Sequence, residues 1–458
     1  MHRRALFIAT VIASSFSVPT TGLAEERLVS TADELAAALE AAQPGDEIVL
    51  KPGTYTGGLY RENLSEVTIR SSDVENPAVI EGGSYGLMLS DPTNVVLANL
   101  VFSDQLENGI NIDDAATPET PADNVSLIGI TVRDIKEKGN HDGIKMAGVR
   151  NFVIDGVKVE NWGSGGSAID FVGCHHGLVQ NSILKHDGLE VGGSGIRPKG
   201  GSKDIVIRAN RVEFPNGMGR GIQAGGSTDA EYFRFPEGDA DYEASEIFVE
   251  GNVVIGGGSA FSWVNIDGGI FHHNVVNRPA QWVIRILNEN EGTSIVPTRN
   301  GQFFDNEIVF NDTDDEFNRA VNEGDAVEPA TFQFARNRWF NLADPTAKGS
   351  RPKLPAEETD GVYGEDPSHT TEQPQVWNFP WGKWIVNANP DWQQVEILGH
   401  EALQAATPGK TSKFEPLLDD PLTGKWSAKD LNGATAKLQP MSQLILINRD
   451  ACPDCAAN

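Results

Sequence analysis

Gly143-Ile144-Lys145, Ala168-Ile169-Asp170, Gly195-Ile196-Arg197 and Gly221-Ile222-Gln223 are four copies of one triplet: a small residue, an apolar residue, a polar residue. Gly109-Ile110-Asn111 precedes them, and Ala260-Phe261-Ser262 and Val283-Ile284-Arg285 follow. Between the triplets run short alternating stretches such as Phe152-Val153-Ile154 and Ile205-Val206-Ile207, several of them ending at an Asn (Asn210, Asn252, Asn274). Val125 to Phe152, Phe152 to Leu178 and Leu178 to Ile205 are steps of 27, 26 and 27 residues. A fixed period of this size marks a stacked repeat, and alternation with period two marks strands. Short strands joined at Gly and Asn corners predict an all-β chain, a right-handed parallel β-helix. Gly permits the corner conformations, and Asn tolerates them while bonding nearby backbone. The corner Asn residues are expected to stack as an internal ladder.

Stacking turns register into geometry, because equivalent residues of successive coils lie about 4.8 Å apart. If the apolar member of each triplet points inward, the polar members form one outward column. That column reads Asn111, Lys145, Asp170, Arg197, Gln223, Ser262, Arg285, with Lys199 two residues beyond Arg197 on the same strand.

Working outward, Met1–Ala24 has a positive start, an apolar run over 5–13 and the small-residue site Gly22-Leu23-Ala24. It reads as a secretion signal, too short to span a membrane. A periplasmic or secreted protein, with no membrane span, is expected. The formal charge of −29 disfavours nucleic acid as a partner. Cys452 and Cys455 are a candidate disulfide, and Cys174 reads as a buried thiol. Thr31 with Glu34 forms a capping box that opens a helix over Ser30–Ala42, placed to cover the first edge of the solenoid. The repeats are expected over 25–340, and 341–458 as an irregular extension. The extension carries Trp377, Trp381, Trp384 and Trp392, expected to pack along the rod.

Thr31-Ala32-Asp33-Glu34-Leu35 through Pro44-Gly45-Asp46-Glu47-Ile48-Val49-Leu50-Lys51-Pro52-Gly53-Thr54-Tyr55 resembles the opening of polysaccharide lyase family 6, the alginate lyase and chondroitinase B group. The resemblance runs loosely to about Phe310. It implies a right-handed β-helix, β-elimination on uronate polysaccharides, a catalytic Lys and Arg on the helix face, and calcium in many members. Lys145, Arg197 and Lys199 are the matching residue types.

Charge supports an anionic ligand. Residues 133–211 hold 12 Lys and Arg against nine Asp and Glu, on a chain that is strongly acidic overall. His141-Asp142-Gly143 and His186-Asp187-Gly188 add histidines, the natural proton carriers near neutral pH; a polar turn is the simpler reading of each. The spacing between the Gln223 and Ile247 coils stretches to hold Asp229–Pro236. There Tyr232 and Phe233 are candidates for stacking on sugars, and Arg234 for gripping a carboxylate.

Three functions compete on these residues. A polyuronate lyase would use Arg197 on the substrate carboxylate and Lys145, His141 or Tyr232 as base, with Asp170, Lys199, Gln223, Tyr232, Arg234 and Arg285 binding the chain. A C5-epimerase shares the same proton abstraction and falls under this first reading. A glycoside hydrolase needs two carboxylates, and the column has only Asp170, with Asp142 and Asp187 as recruits. A non-catalytic glycan-binding protein would use the alternating Lys, Asp and Arg as a charge ladder alone. In each case the partner is a polysaccharide, anionic for the lyase, and the protein is expected to be a monomer.

Overall fold

The computed structural model describes residues 25–367, apart from 189–191, 235–240, 291–293 and 314–319, and five strands further on. The leader, the Cys452–Cys455 pair and the packing of the tail tryptophans fall outside the described residues.

Each coil contributes one strand to each of three parallel sheets, of 14, 10 and 12 strands among the described residues. The register follows the triplets: Ile110, Ile144, Ile169 and Ile196 are successive partners, then Ile222, Phe261 and Ile284. All seven are fully buried. Similar packing environments repeat every coil, so a large apolar residue serves each time, Ile at six positions and Phe at one. Toward the C-terminal end the core turns aromatic, with Trp263 4.0 Å from Phe271 and 5.7 Å from Phe332 between ring centroids. Cys174 is buried, its thiol pushed up to about 12 by that burial.

The helix α1 (Ala32–Ala41) covers the first edge, burying Leu35, Ala38 and Leu39. The cap forms with a shift: the Glu34 N–H donates to Thr31 Oγ1 at 3.2 Å, and Glu34 Oε2 accepts from the N–H of Ser30, one residue before the cap, at 2.7 Å. The coils extend past residue 340, because Glu358–Thr359 and Val362–Tyr363 still pair in parallel with the preceding coil. The extension beyond is not wholly irregular. Gly382–Asn387, Trp392–Ile397, Glu415–Asp420, Lys425–Lys429 and Thr435–Gln439 pair as an antiparallel sheet.

The asparagine ladder stands at one corner. Asn210, Asn252, Asn274, Asn306 and Asn337 are buried, and each donates its side-chain amide to the next Oδ1 at 2.9–3.0 Å. Each backbone N–H bonds the same oxygen, for example Asn252 N–H to Asn274 Oδ1 at 2.9 Å. Glu358 Oε1 ends the run at 2.7 Å from Asn337 Nδ2. Asn274→Ala would strand the buried Asn252 N–H and take one acceptor from the Asn252 amide, while Asn306 Oδ1 keeps the backbone N–H of residue 274. A stability loss of roughly 2 to 3 kcal/mol is expected in urea unfolding. A loss below half a kcal/mol would show that the ladder is not cooperative.

Candidate active site on the ten-stranded sheet

The ten-stranded sheet carries the polar column. Its relevant strands are β1 (Asn108–Asp113), β2 (Ile144–Ala147), β3 (Ser167–Val172), β4 (Ser194–Lys199), β5 (Arg220–Gly225), β6 (Ser259–Val264) and β7 (Trp282–Leu287). Asn111 pairs with Lys145, Lys145 with Asp170 and Asp170 with Arg197. Gln223 pairs with Ser262, and Ser262 with Arg285.

The column is not a simple solvated stripe. Asp170 and Gln223, although on the outer face, are buried beneath their neighbours. Asp170 sits at the centre of a compact charge cluster. Arg197 Nε donates to its Oδ1 at 2.9 Å, and Lys145 Nζ donates to its Oδ2 at 3.3 Å. Lys199 Nζ lies 3.7 Å from the same Oδ2. Lys145 also donates to Asp142 Oδ2 at 3.2 Å. Asp142 is fixed in turn, taking the Ser167 N–H on Oδ1 and giving its own N–H to Asn108 Oδ1, both at 2.7 Å. Three cations therefore stand over two buried carboxylates. The carboxylates are shielded (1% and 0% exposed), while Lys145, Arg197 and Lys199 keep 28%, 14% and 13% of their side-chain surface.

The cations are not equivalent. Burial works against a charged Lys145, but Asp170 and Asp142 outweigh it and hold the ammonium well above its ordinary range. Lys199 goes the other way. Burial lowers it, Arg197 and Lys145 add their repulsion, and Asp170 and Asp142 together do not compensate. Burial opposes ionisation of Asp170 itself, yet Arg197, Lys199 and Lys145 together drive it far below the usual carboxylate range. Asp142 is raised by burial and by Asp170. Arg197 reaches Asp170 through Nε, and both Nη nitrogens have no hydrogen-bond partner among the described residues. Gly226 gives Lys199 its room: a Cβ there would stand 3.2 Å from Lys199 Cδ.

Other residues singled out in the sequence are placed differently. His141 lies in the loop before β2, with Nε2 3.0 Å from the Lys138 carbonyl oxygen. His186 packs edge-on against Trp162 and sits 2.7 Å from the Trp162 carbonyl. Arg234 does not present a free fork. Its Nε donates to Asp114 Oδ2 at 2.8 Å and it packs on Gly173, where a Cβ would come within 2.3 Å of Arg234 Cβ. It pins the long loop to the rod, and Tyr232 stands exposed beside it. Arg285 bonds Asn322 Oδ1 at 3.1 Å and lies over the Trp282 ring at 4.9 Å.

Several residues escaped the triplet reading. Asp142 supports Lys145 from three positions earlier in the chain. Tyr85, Met88 and exposed Tyr60 continue the face beyond Asn111. The Tyr85 phenol is pushed up to about 12 by its hydrogen bond to Glu107 and by burial. Reading the position three before each triplet's polar residue would have found Asp142, Ser167, Ser194, Arg220 and Ser259.

Calcium does not suit these residues. Among the described residues no three His, Cys, Asp or Glu side chains gather as a metal-binding set. Asp142 and Asp170 already carry Lys145, Arg197 and Lys199, so a divalent cation there would meet charge of its own sign.

Comparison with known proteins agrees on the fold. The family described as "Right handed beta helix region" matches residues 57–235, which gives the hand of the coil. No curated protein matches. Among solved structures, a GH136 lacto-N-biosidase from Eubacterium ramulus is similar at 12% identity and TM-score 0.50, over 74% of this chain and 68% of that one. An alginate lyase from Paenibacillus sp. str. FPU-7 aligns at 20% identity and TM-score 0.42, over 65% and 97%. A PL6 family polysaccharide lyase from Pseudopedobacter saltans aligns at 14% and 0.42, over 77% and 96%. At such identities the likeness is one of architecture. No helix among the described residues is long and apolar enough to cross a membrane.

Proposed function

We propose that this protein acts on polysaccharides, and that it cleaves a uronate-containing polysaccharide by β-elimination on the Lys145–Arg197–Lys199 face. The observation that carries the reading is the unequal pair of lysines around Asp170. Lys145 Nζ donates to both Asp142 and Asp170, whereas Lys199 Nζ stands 3.7 Å from Asp170 alone and has its pKa lowered by burial, beside an arginine with two unengaged nitrogens. That is the division of labour the reaction needs. Arg197 grips the sugar carboxylate with its Nη fork, and Lys145 adds fixed positive charge. Both stabilise the negative charge that develops when C5 loses its proton. Lys199 Nζ takes that proton, the electron pair becomes the C4–C5 double bond, and the C4–O bond breaks. The departing oxygen is protonated by solvent. Asp142 and Asp170 hold the cations in place and touch no substrate.

The base role thus moves to Lys199 from Lys145 and His141. A lysine bonded to two carboxylates keeps its proton, and the His141 nitrogen faces its own loop. Incubation with a panel of polyuronates, followed by ultraviolet absorbance of the unsaturated product, tests the reading. Growing absorbance is expected from at least one uronate polymer. New reducing ends without absorbance would instead favour hydrolysis by the Asp142–Asp170 pair, whose pKa values are pushed apart.

The pH profile has a definite sign. The base must be neutral, so the rate rises with pH through the Lys199 pKa, which lies below the ordinary lysine value. Arg197 depresses that pKa, so the residual activity of Arg197→Gln should rise only at higher pH. An unmoved limb would remove Lys199 as the base.

A further inference from the structure

A second outward row flanks the column, three residues earlier on each strand. Ser167 pairs with Ser194, Ser194 with Arg220, Arg220 with Ser259 and Ser259 with Trp282. Buried polar side chains in folded proteins almost always have partners. Ser167 has one, donating to Asp170 Oδ1 at 3.5 Å. The next coils break the pattern. Ser194 Oγ, Arg220 Nε, Ser259 Oγ and Ser262 Oγ are buried with no hydrogen-bond partner among the described residues. The three serines are essentially inaccessible, at 0%, 1% and 0% exposure. All four atoms belong to β4, β5 and β6, on the one face that carries Arg197.

The charge beside them is also unpaired among the described residues. Arg220 bonds the Gly192 carbonyl and Arg285 bonds Asn322, and among the described residues neither makes an ion pair. Arg220 is pushed down to about 10 by burial first, then by Arg197, with Arg285 adding to it; only Glu289, which is exposed, pulls the other way. The contrast with the neighbouring cluster is direct. Where Lys145, Arg197 and Lys199 converge, the fold supplies two buried aspartates. Around Arg220 and Arg285 it supplies hydroxyls and one exposed carboxylate, Glu289, with which neither arginine makes an ion pair among the described residues. Arginines so placed suit an anion from outside, because the guanidinium fork matches a carboxylate.

We propose that Arg220 and Arg285, with the Ser194, Ser259 and Ser262 hydroxyls, form a second anion subsite that takes the carboxylate of a neighbouring sugar in the same polymer chain. The proposal rests on the polyuronate reading of the face. Arg220 lies on the strand after Arg197, about 4.8 Å further along the rod, so the polymer would lie along the rod axis. A chain with a carboxylate on every sugar fills both subsites; a chain with uronate at alternate sugars fills one.

Titration calorimetry tests this with a homo-oligouronate tetramer and with a sulfated tetrasaccharide bearing carboxylates only at alternate sugars. The proteins are wild type, Arg220→Gln, Arg220→Lys, Arg285→Gln and Ser262→Ala, each checked for an unchanged thermal melt. Loss of a charge-assisted contact should weaken the tetramer roughly tenfold or more in either Gln variant. Arg220→Lys, which keeps charge but not the fork, should recover part of that and stays informative if Arg220→Gln does not fold. Equal affinity of wild type and all variants for the tetramer overturns the second subsite while leaving the first intact. A sulfated tetrasaccharide that binds as tightly, and loses as much in the variants, overturns the carboxylate assignment. A wild type that binds no uronate oligomer overturns the subsite and the polyuronate reading together.

Discussion

Lys199→Met should reduce polyuronate cleavage by roughly 10²- to 10⁴-fold, the range a general base contributes. Methionine keeps most of the buried stem beside Gly226 and removes only the amine. The loss should fall on turnover more than on KM, because Arg197 and Lys145 still hold the carboxylate. Lys145→Met is the control for charge alone. It removes a cation that stabilises developing charge but takes no proton, so the pH at which the residual rate rises should move up as Lys199 loses one depressing neighbour. If instead Lys145→Met abolishes the ascending limb and Lys199→Met leaves it, the two lysines exchange roles.

Asp170→Asn has the largest expected effect on stability. The amide is nearly isosteric, yet it leaves Lys145, Arg197 and Lys199 facing one another with only Asp142 to balance them. Removing one partner of a buried ion pair costs roughly 3 to 5 kcal/mol, and three cations depend on this one. The pH signature has a sign. The folded pKa of Asp170 lies below its unfolded value, so its contribution is present above the unfolded value and drains away as pH falls toward the folded one. Wild type should therefore lose stability on acidification below about pH 4 more steeply than Asp170→Asn. Chemical denaturation from pH 3 to 7 reads both. Equal stability of the two proteins at pH 7 would mean that the cluster is solvated and contributes nothing.

The fold was legible because a parallel β-helix writes its geometry into the period of the sequence. Once Ile144, Ile169, Ile196 and Ile222 are taken as inward, the register of Lys145, Asp170 and Arg197 follows with no further information, and the structure has that register. Corners were legible for the same reason, since Asn210, Asn252 and Asn274 recur at one place in the coil. What alternation cannot convey is depth. Asp170 reads as a solvated column residue and is buried, because Lys145, Arg197 and Lys199 reach over it from neighbouring strands. Nor does alternation show which of two lysines is the proton acceptor. That depends on how many carboxylates each ammonium touches, two for Lys145 and one for Lys199. Arg234 carries the same lesson for loops. Its partner Asp114 is 120 residues away in sequence, so nothing local marks the pair.

The account stands on that division between the lysines, and NMR titration of the lysine side-chain ammonium groups measures it without any substrate. An ordinary lysine titrates near 10.4. One signal should titrate clearly below that value and vanish in Lys199→Met, while the Lys145 signal stays charged to the highest pH at which the protein remains folded. A Lys199 signal titrating at or above the ordinary value, or a depressed signal that belongs to Lys145, would contradict the account.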